Sequence, residues 1–201
     1  MTGKELLLRA VRGETSPRPA WLPFVGCHGG KLIDKGAAEF LRSADLLVEG
    51  LKKAHELYRP DGLPVTFDLQ LEAEILGSEL HWADEVPPSV ITHPLAGGKT
   101  SIEDLPEIDR TKGRLPMVMS ALETLDRDLG DEVAFYGLIC GPFTLALHLR
   151  GNEIFLDMFD RPDDVKRLVD YCADVAIRMA SLYLSHGASV VAVVDPMTSQ
   201  I

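Results

Sequence analysis

The feature that most limits how this chain can fold is a set of short apolar runs without alternation. ASVVAVVD (residues 188–195), EVAFYGLIC (132–140) and LPVTFD (63–68) place apolar or β-branched residues at successive positions. A strand with one wet face alternates apolar and polar residues, and a strand covered on both faces does not. These runs therefore read as parallel strands between helical layers. AWLPFVGC (20–27) reads as a further strand, the first in chain order, with Pro23 a blemish that makes it irregular or an edge.

Between the runs the period turns helical. Thr2-Gly3-Lys4-Glu5 is a capping box ahead of three leucines. Leu46, Leu47, Gly50, Leu51, Ala54, Leu57 and Tyr58 mark a helix over 43–59. Residues 71–77 form a short helix stopped by Gly77, and ELHWADEV with SVITHPL forms a small hairpin around Pro87-Pro88. Residues 95–114 read as loop, and Pro116 suits the first turn of a helix over 116–129. Helical segments follow at 143–151 and 152–159, and a long helix at 163–185 opens with two acids where its dipole favours them. Strand and helix alternate, so the fold class is α/β.

The net charge of −11 excludes the basic patch of a nucleic-acid binder. No apolar run approaches the roughly 20 residues of a membrane helix, and three leucines near the start are too few for a signal sequence. Three cysteines, none close to another in sequence, fit a reducing cytoplasm. Neither a G-x-G-x-x-G nor a P-loop is present, which excludes the common nucleotide cradles.

Each run ends in reactive or small residues: Cys27 and His28, Asp68, Cys140 and Gly141, and Asp195. Active sites of parallel α/β folds lie at the carboxyl ends of strands, so these residues, with His148, are the candidate site. Asp68 and Asp195 are the candidate catalytic carboxylates. Asp68 also suits a helix N-cap, and Asp195, ahead of Pro196, also suits a turn. Cys27 and His28 adjoin, which is poor metal spacing. Cys140 and Cys172 fit buried apolar positions, and His148 among leucines fits either core or pocket. Gly141-Pro142 suits the backbone turn above a strand.

RPAWLPFVGCHGG, FDLQLEAEILGSEL, FYGLICGPFTLALHLRG and GASVVAVVDPMTSQI, in this order, resemble the uroporphyrinogen decarboxylase superfamily. That resemblance implies a (β/α)8 barrel, of which residues 1–201 form an incomplete single domain with about four strands and an insertion near 79–95. A whole barrel has eight strands in roughly 250 residues. The superfamily holds decarboxylases and zinc-dependent, corrinoid-linked methyltransferases. Asp68 matches the decarboxylases' central aspartate, whereas His148 and Pro196 fall where they carry a tyrosine and a serine. Val25-Gly26-Cys27-His28-Gly29-Gly30, with no arginine, falls where they carry substrate-binding arginines.

The departures favour a methyltransferase moving a methyl group from a methylcobamide to a thiol. The alternatives are decarboxylation of uroporphyrinogen or a related tetrapyrrole in porphyrin biosynthesis, and an inactive half-barrel. The implied partners are a corrinoid protein or a small-molecule substrate, with a homo-oligomer or a pairing with the missing half. The family's zinc ligands, a His-x-Cys pair and a later Cys, fall beyond the position of Ile201. This chain alone is therefore expected to bind no metal or other cofactor.

Overall fold

The structure, a computed structural model, describes residues 1–200. Its organising element is β4 (Ala134–Cys140), buried along its whole length. β4 is the middle strand of a parallel sheet, flanked by β1 (Gly62–Pro64) and β5 (Val190–Val194). Gly62 lies opposite Ala134, Tyr136 opposite Val190 and Cys140 opposite Val194. The unalternating composition of β4 follows from this central place, since both its faces are covered.

The flanking strands are shorter than the sequence predicts, and the run at 20–27 is not a strand at all. There the backbone makes a single bond toward β1, the Asp61 N–H donating to the Trp21 carbonyl at 2.9 Å. Pro19 and Pro23 have no N–H to give a ladder. A side-chain anchor takes over: Asp61 accepts from Arg18 at 2.6 and 2.7 Å and from the Trp21 N–H at 2.8 Å. β1 ends at Pro64 for a similar reason. One further bond, from the Val65 N–H to the Tyr136 carbonyl at 3.1 Å, continues the pairing before the chain turns out of the sheet toward Asp68.

The longer helices follow the sequence reading, whereas the single turns α2 and α3 have no counterpart in it. α1 (Gly3–Val11) carries the complete capping box between Thr2 and Glu5. α2 (His28–Lys31) and α3 (Ala37–Phe40) are single turns, and α4 (Ala44–Tyr58) is capped by the Ser43 hydroxyl, which accepts from the Leu46 N–H. α5 (Leu71–Ile75) is also short. α6 (Leu115–Leu129) packs on α4 and β4. α7 (Pro142–Arg150), α8 (Glu153–Asp160) and α9 (Pro162–Ser185) follow, and α9 lies along β4 and β5. Leu47, Leu51, Leu122, Leu125, Phe135, Ile139, Met179 and Tyr183 share one buried cluster. Each such large side chain contributes about 1.5–3 kcal/mol by leaving water.

A two-stranded antiparallel hairpin, β2 (Leu80–His81) and β3 (Ser89–Val90), stands apart from the sheet. The Ala37 N–H donates to the Asp84 carbonyl, and the Leu95 N–H to the Leu149 carbonyl, both at 2.9 Å. These bonds tie the hairpin to α3 on one side and to α7 on the other.

Gly137 shows why one strand position must lack a side chain. The Tyr183 ring of α9 lies where a Cβ at 137 would stand. Gly137→Ala is expected to push α9 outward and cost about 2 kcal/mol, the order seen for overpacked cores. Urea unfolding measures this, and an unchanged midpoint would mean that α9 is not seated on the strand.

Candidate active site at the carboxyl ends of the strands

Asp68 is the centre of the candidate site. Its side chain is 0 % exposed, and its Oδ2 lies 2.7 Å from Arg114 Nη2. The approach is close, but the N–H is not directed at the oxygen, so the contact is an ion pair more than a hydrogen bond. The other carboxylate oxygen accepts from the Gln70 N–H at 2.9 Å and closes the turn into α5. Arg114, on the residue before α6, also donates through Nε to Glu74 at 2.7 Å and through Nη1 to the Leu41 carbonyl at 3.2 Å. Burial works against the guanidinium's charge, but Asp68 and Glu74 outweigh it and its pKa is raised.

A second carboxyl lies deeper. Glu72 is 1 % exposed, and its Oε1 accepts from the Cys140 N–H at 3.0 Å. Its Oε2 has no hydrogen-bond partner. Burial, against the pull of two backbone hydrogen bonds, pushes the acid up to about 7. A carboxyl so placed holds a proton near neutrality.

The residues singled out in the sequence fall into two groups. Cys27, Cys140 and His148 share Asp68 as an electrostatic neighbour. The half-buried Cys27 thiol is pushed up by burial and then by Asp68's charge. The Cys140 thiol is driven up further by burial, with Glu72 and Asp195 adding to it. His148 is pushed down by burial and by His93, so the ring is neutral. His93 Nδ1 lies 2.7 Å from the His148 carbonyl.

The others serve elsewhere. His28 is exposed, and its Nε2 lies 2.8 Å from the Tyr58 hydroxyl. Asp195 caps α7: one oxygen accepts from the Phe143 N–H at 3.0 Å, the other from the Thr144 N–H and hydroxyl at 2.8 and 2.6 Å. Gly141 permits this approach, because a Cβ there would stand on the Asp195 side chain.

Arg114, Glu74 and Trp82 had no sequence reading, and Glu72 stood inside the quoted FDLQLEAEILGSEL stretch without a role. Trp82 in the hairpin packs against Arg42 and Arg114, both guanidinium carbons within 4.9 Å of its ring centroid. Among the described residues no three of His, Cys, Asp and Glu stand close enough to hold a metal ion. The buried Cys140 and Cys172 thiols are held protonated. The residues present therefore do not fit a zinc ion.

The sequence matches the uroporphyrinogen decarboxylase (URO-D) family over residues 2–201. The chain belongs to this family. It is 29 % identical over 208 residues to methylcobamide:CoM methyltransferase MtbA of Methanosarcina mazei, covering 98 % of this chain and 59 % of that protein. It is 24 % identical over 210 residues to uroporphyrinogen decarboxylase of Microcystis aeruginosa, covering 97 % and 59 %. A solved structure of a methyltransferase from Methanosarcina mazei superposes with a TM-score of 0.84 at 22 % identity, covering 98 % of this chain and 60 % of that one. The fold is thus part of an α/β barrel of the family type, and the chain spans about three-fifths of the relatives' length. No described helix is long and apolar enough to cross a membrane.

Two consequences can be measured by chemical unfolding. Arg114→Met leaves Asp68 and Glu74 without their counter-ion and should cost about 3–5 kcal/mol, as removal of one partner of a buried pair does. Glu72 gives a pH dependence. Its pKa rises from 4.5 to about 7 on folding, so the folded chain binds this proton more tightly than the unfolded one. Folding then costs more as pH climbs through that window and no more above it. Glu72→Gln removes the cost, so the variant should gain on the wild type by about 3 kcal/mol between pH 4.5 and 7. A constant difference across that window would show that Glu72 titrates normally.

Proposed function

We propose that this chain is the first part of a methyltransferase of the URO-D family, moving a methyl group from a methylcobamide to a thiol. The observation that carries the reading is the packing of α2, just after residues 20–27, where the resemblance places the decarboxylases' substrate-binding arginines. A Cβ on Gly29 would come within 2.8 Å of the Phe40 ring, and one on Gly30 within 2.9 Å of the Lys35 carbonyl. This turn has no room for longer side chains at these two positions. The two guanidiniums packed on Trp82 have partners: Arg114 has Asp68 and Glu74, and Arg42 has the Ala38 carbonyl. Among the described residues these two are thus not set aside for a tetrapyrrole bearing many carboxylates, which calls for guanidiniums. The MtbA relative, at higher identity than the decarboxylase, points the same way.

In this reading a thiol sulfur takes the methyl group from cobalt, the cobalt keeps the electron pair of the broken bond, and the thiol gives up its proton. Asp68, held in place by Arg114, lines the reaction face as a fixed negative charge. Glu72, near its midpoint at neutral pH, is the group in this chain suited to hold a proton. A zinc ion would lower the thiol's pKa, but would need ligands that the described residues do not offer. The donor is presented by a corrinoid protein.

The test supplies the chain with the remaining two-fifths of a family domain and follows methylcobalamin with coenzyme M by loss of methyl–cobalt absorption. Turnover that falls about a hundredfold in Asp68→Asn supports the proposal. Release of carbon dioxide from uroporphyrinogen, with methylcobalamin untouched, would overturn it in favour of decarboxylation.

A further inference from the structure

The buried pair is covered by a residue of the hairpin, which stands apart from the sheet. Arg114's guanidinium carbon lies 4.8 Å from the Trp82 ring centroid, and Arg42's lies 4.9 Å from it. Two like charges gather on one indole because the ring's negative face attracts each. Arg42 is held from its own side, donating to the Ala38 carbonyl at 2.7 Å. Arg114 faces the harder problem, since its Nη2 contacts Asp68 without an aligned hydrogen bond. Glu74 and the Leu41 carbonyl hold the edge of the guanidinium through Nε and Nη1, and the indole is the flat surface packed against its face. The hairpin bearing Trp82 is tied down by the Ala37–Asp84 and Leu95–Leu149 bonds and by the His93–His148 contact.

We propose that Trp82 is the positioning residue of the Asp68–Arg114 pair. Its indole keeps the guanidinium on the carboxylate, and the seating of the hairpin sets how far the charge of Asp68 is neutralised. A ligand that lifts the hairpin would thereby unmask a negative charge on the candidate reaction face. The assignment rests on the reading of Asp68 as a group of the transfer site, but its test does not use methyl transfer.

Cys27 serves as the reporter. It is the one partly exposed cysteine, whereas Cys140 and Cys172 are buried. The charged groups acting on its thiol are Asp68, which disfavours the thiolate, and Lys31, which favours it. The experiment measures alkylation of Cys27 by iodoacetamide across pH, with the site read by mass spectrometry. Asp68→Asn should move the midpoint down. Trp82→Ala should move it up by about half a pH unit, roughly threefold slower capture at pH 8. Trp82→Phe, which keeps an aromatic face, should restore the wild-type profile. If Trp82→Ala unfolds the chain, the other two cysteines react as well, and Trp82→Leu takes its place as a bulky residue without a π face. A wild-type profile in the folded Ala or Leu variant would overturn the proposal, as would an Asp68→Asn profile that does not move.

Discussion

The buried Asp68–Arg114 contact is the constraint on which the candidate site depends. Placing a carboxylate and a guanidinium away from water costs several kcal/mol for each ion, and only close mutual approach offsets it. Arg114 meets this demand from the end of a long loop, and three other pieces of chain adjust to it. Glu74 on α5 takes the Nε proton, the Leu41 carbonyl takes another, and Trp82 covers the group. The end of β1, α5, the start of α6 and the hairpin are thus fixed relative to one another by one side chain. Loss of that chain would loosen all four together.

Glu72 stands next to this assembly and differs from it in kind. Asp68 has a counter-ion, and Glu72 has only a backbone N–H on one oxygen. Glu72 is therefore half-titrated near neutrality, while Asp68, four residues earlier, lies against a cation. A carboxyl pushed toward neutrality by its surroundings is typical of reaction sites.

Much of the frame was legible in the chain itself. The capping box of α1, the period of α4, Pro116 in the first turn of α6 and the continuous apolar run of β4 each carry a local signal, and each element formed where that signal lay. The run at 20–27 misled because apolar composition outweighed the cost of two prolines in a ladder, and β1 was shortened by Pro64. Asp68 was visible as a strand-end carboxylate next to a helix. Its partner was not, because Arg114 closes a polar, glycine-bearing stretch with Lys99, Arg110 and Lys112, in which each cation reads as solvated, and the pairing spans 46 residues. Glu72 offered a faint signal, an acid amid Leu71, Ala73 and Ile75 in a short helix, all of which are buried. Trp82 could be placed in a hairpin, but nothing local tells which cations an indole will meet.

The cap on α7 has a consequence for the order of events during synthesis. Pro142 has no N–H, so the first donors of the helix are those of Phe143 and Thr144, and both go to Asp195. That carboxylate lies 52 residues after one and 51 after the other. At a translation rate of roughly 5–20 residues per second, the helix waits about 3 to 10 seconds between its own appearance and that of its cap. Through that interval its first turn is closed by water alone. The motif Gly141-Pro142 is therefore set for a partner that arrives late, and α7 reaches its final form only when β5 has docked on β4 and brought the carboxylate with it.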